Sequence, residues 1–127
     1  MRDNKKLKND NLVDAFINAG NGVIYAIKTQ VNIRIQLIIA ILVIIASIIF
    51  NINTIETIFV VFAIFLVIFA EMANTAVETV VDLCTEVYNQ KAKIAKDVSA
   101  GAVLILSINA VVVACFIFIK EILAIWA

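Results

Sequence analysis

Ile58-Phe-Val-Val-Phe-Ala-Ile-Phe-Leu-Val-Ile-Phe-Ala-Glu71-Met-Ala-Asn-Thr-Ala-Val-Glu-Thr-Val-Val-Asp82 is the stretch on which the fold turns. Residues 58–70 are apolar throughout, and the acids and amides begin directly after them. A helix advances about 100° per residue, so Glu71, Asn74, Glu78 and Asp82 fall within roughly 80° of one another, with Thr75 beside the same stripe. Val77, Val80 and Val81 point elsewhere. An apolar helix therefore ends in one face that carries three carboxylates and an amide. Like charges at that spacing repel, and carboxylates near lipid are costly to desolvate. A divalent cation with a phosphorylated ligand is the natural group to offset both.

The rest of the composition agrees with a helix in lipid. The 127 residues are 64% hydrophobic with a mean hydropathy of +1.07, whereas a soluble domain is nearer half apolar. Proline is absent and glycine occurs three times, so the apolar runs have few breakers and read as helices. The reading is a small all-α integral membrane protein. With no histidine in the chain, histidine is excluded as base, phospho-carrier and metal ligand. Cys84 and Cys115 lie on different predicted helices and read as packing thiols without a disulfide.

Working outward from the central stretch, span two begins near Ile55. About 16 residues to Ala70 cover roughly 24 Å, which brings Glu71 to the far interface, with the helix continuing to about Val87. Asn51-Ile-Asn-Thr54 is a short turn, so the preceding span is antiparallel. That span, counted from Ile33 to Phe50, is about 18 residues or 27 Å. A polar collar over residues 29–36 precedes it. Residues 12–30 are too polar to span and read as an amphipathic helix at the interface. Gly20 and Gly22 soften its middle, either as a bend or as a close approach of backbone to a ligand. Residues 1–11 read as a loose polar tail and not as a secretory signal.

On the other side of the acids, residues 88–96 read as a basic connection, with Asp97 and Ser99 as caps for span three. Ala100, Gly101 and Ala102 are small, which suits close helix packing. Residues 102–119 are apolar apart from Ser107 and Asn109, which read as interhelical hydrogen-bonding groups. Lys120, Glu121 and Trp126 read as anchors at the outer interface. The expected organisation is a tail (1–11), an amphipathic interfacial helix (12–30) and three transmembrane helices (31–127). The bundle is too narrow to enclose a site in one copy, so self-association is expected.

The formal net charge is zero, but its distribution is not even. Every lysine and arginine except Lys120 falls on one side of this topology. That places the N-terminus and the 88–97 connection in the cytoplasm, on one side of a multi-pass membrane protein. The acidic band lies on the same side, where nucleoside triphosphate and Mg²⁺ are available. Phosphoryl transfer needs a metal holder, cations around the phosphates and a group that positions the acceptor hydroxyl. Glu71, Glu78 and Asp82 can supply base and metal ligands, and Lys96 and Arg34 can supply cations. No Gly-x-x-x-x-Gly-Lys-Ser/Thr loop and no protein-kinase signature is present. The bland alternative is a solvated acidic helix end, weakest for Glu71, which directly follows the apolar run. A small oligomeric channel subunit is a rival reading, but the apolar spans leave no polar path across the bilayer. A structural or signalling subunit is a second rival, for which replacing Glu71 would be harmless.

Residues 71–82 closely resemble the signature Glu-x-x-Asn-Ser/Thr-Ala-Ile/Val-Glu-x-x-x-Asp of the prokaryotic diacylglycerol kinase family, small trispan lipid kinases that include Gram-positive undecaprenol kinases. Ala92-Lys-Ile-Ala-Lys-Asp-Val-Ser-Ala-Gly-Ala-Val103 resembles the family's second block. Ala19-Gly-Asn-Gly22 and Thr29-Gln-Val-Asn-Ile-Arg34 resemble its amphipathic helix and the start of its first span. The resemblance covers nearly the whole chain from residue 12. It implies a homotrimer with active sites shared between chains, using ATP and Mg²⁺ and a membrane-lipid substrate, with no nucleic-acid partner. It implies that Glu71 is the general base for the lipid hydroxyl, Glu78 a Mg²⁺ ligand, and Asn74 a supporting residue with Arg34 nearby. Lys96 would meet the nucleotide phosphates, Asp82 and Asp97 would support the nucleotide, and Gly22 would lie close to it. The family often has a second metal-binding Glu where this chain has Gln30, whose amide oxygen is a weaker ligand. Asn89-Gln90 stands where Gram-positive relatives often have His-Pro, and Gln36 where many have His. Asn74-Thr-Ala76 and Val81-Asp-Leu83 look like the Gram-positive branch, which makes undecaprenol the expected substrate and diacylglycerol the alternative.

Overall fold

The computed structural model describes residues 11–126. Of the tail expected over residues 1–11, only Asn11 lies within them, and it belongs to the start of the first helix as its cap. Four helices follow one another: α1 (Leu12–Thr29), α2 (Val31–Ile49), α3 (Thr54–Cys84) and α4 (Gln90–Trp126). The last three are long and apolar enough to cross a membrane. At 1.5 Å per residue α3 is about 46 Å long and α4 about 55 Å, so both exceed a hydrocarbon core of about 30 Å.

Each break has a local cause. Asn11 caps α1, its side chain accepting from the Asp14 amide at 2.8 Å. Gln30 leaves helical geometry with φ −101° and ψ 115°, which separates α1 from α2. Between α2 and α3 the chain reverses through Asn51, at φ 50°, a left-handed conformation that asparagine tolerates better than most side chains. Asn53 and Glu56 then form a reciprocal capping box. The Asn53 side chain accepts from the Glu56 amide at 3.0 Å, and Glu56 accepts from the Asn53 amide at 3.1 Å. Two free amides at the start of α3 are satisfied in this way.

The second reversal corrects two expectations. α3 ends at Cys84, short of Val87, and α4 begins at Gln90, not at a cap on Asp97 or Ser99. Asn89 is the residue that starts α4, its side chain accepting from the amides of Lys91 and Ala92 at 2.9 and 3.2 Å. Beyond it, Ala92, Lys93, Ile94, Ala95 and Lys96 include strong helix formers and no breaker. The basic connection is therefore mostly the exposed first turns of a helix.

α3 sits at the middle of the packing. Its buried residues are Val60, Ala63, Val67, Ala70, Glu71, Asn74 and Thr75, a single stripe at helical spacing. Ala63 and Ala70 lie among them, small residues that let a neighbouring backbone approach. α2 contributes buried Ile33 and Ala40, and α4 contributes Ile117. Phe50 and Phe118 meet at the far end with ring centroids 5.9 Å apart. Between α2, α3 and α4 lies a cavity of about 220 Å³ with apolar walls, in which Gln36 and Ser107 are the only polar lining side chains among the described residues.

α3 and α4 form an antiparallel hairpin that is tied at both ends. Near its start α3 meets the end of α4 through the ion pair of Glu56 with Lys120, which also lies 3.5 Å from Glu121. Near its end α3 meets the start of α4 through Asp82 and Lys96, 2.5 Å apart. Gly101 does not mark a tight crossing, since a Cβ there would meet nothing within 4 Å.

Candidate active site

The buried stripe of α3 does not stop where its apolar residues stop. Val67 and Ala70 lead directly into Glu71, Asn74 and Thr75 on the same face. Glu71 is only 2% exposed. Asn32 Nδ2 donates to its Oε1 at 3.1 Å, and Gln36 Nε2 donates to its Oε2 at 3.4 Å, the long end of the hydrogen-bond range. Both donors come from α2, one turn apart. The Thr75 hydroxyl donates to the Glu71 carbonyl at 2.9 Å, which satisfies a second buried group on the same helix. Among the described residues no ion pair reaches Glu71. Its charge is met by neutral amides alone.

One turn further along, Asn74 connects two helices. Its Oδ1 accepts from the Ser99 hydroxyl of α4 at 2.6 Å, and its Nδ2 donates to Glu78 Oε1 at 3.2 Å. The acceptor-only Glu78 carboxylate draws Asn74 Nδ2 to itself, which leaves Oδ1 facing Ser99, whose single hydroxyl proton also has the Lys96 carbonyl within reach at 2.9 Å. Among the described residues no donor reaches Glu78 Oε2. One turn beyond, Asp82 and Lys96 pair, and Lys93 pairs with Asp97 at 2.5 Å. These four line an open cleft of about 300 Å³ at the α3–α4 reversal, together with Glu86, Tyr88 and Asn89. The polar column from Glu71 to Asp82 is about 16 Å long.

The structure therefore brings together Glu71, Asn74, Glu78, Asp82, Lys96 and Asp97. It does not bring Gly22, Gln30 and Arg34 to them within one chain. Gly22 is exposed on α1 with open space where a side chain would be, so no close backbone approach occurs there. Gln30 is half-buried at the α1–α2 break, with no hydrogen bond to Glu78, and Arg34 is exposed on α2. Among the described residues no three acids or cysteines cluster to hold a metal. The oxygen donors present still suit Mg²⁺, which takes one or two protein oxygens and fills its remaining positions with water and phosphate. Glu78 Oε2 is such a donor.

Three residues of this arrangement escaped sequence reasoning. Asn32 and Gln36 read as part of a polar collar, although their i, i+4 spacing puts them on one face of α2. Ser99 read as a cap, but it lies inside α4 and bonds across to Asn74.

Comparison with known proteins follows the same residues. The family model described as prokaryotic diacylglycerol kinase matches residues 17–118. A protein of Synechocystis sp. named diacylglycerol kinase is 39% identical over 81% of this chain and 59% of its own length. A Bacillus subtilis protein named undecaprenol kinase is 29% identical over 84% of this chain and 87% of its own length. The chain thus matches little more than half the length of the Synechocystis relative.

Proposed function

Because the chain belongs to the prokaryotic diacylglycerol kinase family, we propose that it is a membrane-bound lipid kinase that moves the γ-phosphoryl group of ATP to a lipid hydroxyl at the cytoplasmic interface. The observation that carries this reading is Glu71, a carboxylate 2% exposed that no cation among the described residues reaches. It continues an apolar helix face and stands at one end of a column that finishes in a lysine-bearing cleft. A lipid alcohol arrives from the apolar side and a nucleotide from the polar side.

In the reaction the hydroxyl oxygen attacks the γ-phosphorus. The bond from that phosphorus to the β–γ bridging oxygen breaks, and ADP leaves. Glu71 orients the hydroxyl and takes its proton, which passes to solvent. Lys96, released from Asp82, faces the phosphates, and Asp97 keeps Lys93 at the same cleft. Glu78 and Gln30 hold Mg²⁺, which when bound neutralises charge on the triphosphate. Positioning and electrostatics account for most of the rate in this chemistry.

Gln30, Arg34 and Gly22 join this site from a neighbouring chain of a homotrimer, and α1 lies on the membrane surface as an amphipathic helix. What supports this is their separation from Glu78 within one chain and the exposed apolar residues of α1, among them Leu12, Phe16 and Ile24. Undecaprenol is the first-choice substrate, on the residues at 74–76 and 81–83. Diacylglycerol is the second reading, favoured by the 39% identity to a protein of that name.

Transfer of label from γ-labelled ATP, with both lipids offered in parallel and with or without Mg²⁺, tests the reading. Mg²⁺-dependent undecaprenyl phosphate is the expected product. Phosphatidic acid alone would move the substrate to the second reading, and transfer to neither lipid would overturn both. Glu71→Gln is expected to abolish turnover and keep ATP binding; full turnover in that variant would remove the role given to Glu71.

A further inference from the structure

We propose that Asn32 and Gln36 are positioning residues for the transfer, clamping the Glu71 carboxylate so that it meets the acceptor hydroxyl in one orientation. The proposal rests on the reading of Glu71 as the group that acts on that hydroxyl. The two amides stand four residues apart on α2, and each takes a different oxygen of the same carboxylate. Both are neutral, so they fix the group without pairing its charge. A cation in the same place would hold Glu71 as firmly but would compete for the electrons that receive the proton.

Gln36 carries the sharper evidence. Its amide must turn Nε2 toward Glu71, because the carboxylate oxygens are acceptors. That leaves Gln36 Oε1 buried with no hydrogen-bond partner, in the wall of a cavity otherwise lined by apolar side chains and Ser107. A glutamine retained only for packing would have both ends bonded or would be replaced by leucine, since an orphaned buried carbonyl carries a desolvation cost. A local rule broken beside a reactive group is the expected mark of a functional demand. Here the demand is for the N–H.

The test uses the full-length protein in lipid micelles, with whichever of the two lipids it phosphorylates. Gln36→Leu removes the clamp together with the orphaned carbonyl. Its kcat is expected to fall between about tenfold and a hundredfold, the scale of a misplaced reacting group. KM for ATP should stay within about twofold, because the nucleotide cleft lies two or more turns away along α3. Tm should shift by only a few degrees, since losing the orphaned carbonyl offsets losing one donor to Glu71. Gln36→His restores an N–H at similar reach and should recover most of the lost turnover. Asn32→Leu should resemble Gln36→Leu, and the double variant should be little slower than the slower single one, since both act through Glu71.

Wild-type kcat in Gln36→Leu would overturn the proposal. So would a kcat loss that tracks a fall in Tm or a rise in KM for ATP, or one that Gln36→His does not relieve. Should Asn32→Leu fail to fold, the Gln36 pair decides. Glu71→Gln run alongside separates the two levels. A dead Glu71→Gln with an unaffected Gln36→Leu refutes only the clamp, whereas an active Glu71→Gln refutes the base and the clamp with it.

Discussion

Ser99, Asn74 and Glu78 form a short relay in which a hydroxyl of α4 braces the amide that holds a carboxylate on α3. An asparagine amide has two faces of nearly equal shape, and only its partners distinguish them. Ser99→Ala removes the donor to Asn74 Oδ1 and leaves the amide held only through the Nδ2 bond to Glu78, so Asn74 and the carboxylate it holds are less firmly placed. The expected result is a rise of about tenfold in the Mg²⁺ concentration for half-maximal activity, as for other groups that orient a metal ligand. Titration of the variant with Mg²⁺ at saturating ATP checks this. Lys96 behaves differently. Its pair with Asp82 is exposed on both sides, at 38% and 66% for the two side chains, and pairs of that kind contribute little to stability. Lys96→Met should therefore raise KM for ATP severalfold while leaving Tm unchanged, measured by initial rates and by thermal unfolding of one preparation. Equal loss of Tm would assign Lys96 to the fold and not to the nucleotide.

At the scale of the helix, α3 governs the site through its rotation. Ala63 and Ala70 are 5% and 6% exposed where other helices approach. Ala70→Leu adds three carbons to a filled space and is expected to cost about 1–3 kcal/mol. It should also lower turnover without touching a polar residue, because it disturbs the packing directly beside Glu71. Stability and initial rate, measured together, test this. The rotation of α3 was already readable in the sequence, since the apolar run and the acid spacing share one period. The first reversal, over residues 51–54, was also readable. Other features were not. The pairing of Asn32 and Gln36 with Glu71 depends on the angle at which α2 meets α3, which no local pattern encodes. The start of α4 was misread because Asn89 and Asp97 are equally good caps in isolation. The lysines between them suit a loop and an exposed helix face alike.

For the molecule as a whole, the charge asymmetry of the loops predicts a sidedness that its two cysteines can report. Cys84 ends α3 beside the open cleft at the α3–α4 reversal, and Cys115 lies in the apolar part of α4. A membrane-impermeant maleimide is expected to label Cys84 in inside-out vesicles and not in intact spheroplasts, and to leave Cys115 unlabelled in both. Labelling of Cys84 from outside would invert the proposed topology. The family, the helical architecture and the membrane-length spans agree across sequence, structure and relatives. The proposed trimer, by contrast, depends on surfaces that a single chain leaves open.

The continuity of α3 from its capping box to Cys84 also limits how such a protein can adapt to bilayers of different thickness. Each residue added to the apolar half turns everything beyond it by about 100°. One insertion before Glu71 would swing the acids out of the packed stripe and away from α2, so the hydrophobic length cannot drift by single steps. An insertion of seven residues restores the face to within about 20°, but it moves the site roughly 10 Å along the axis. A lineage meeting a thicker or thinner membrane is left with tilting the whole bundle, or with changing α2, α3 and α4 together.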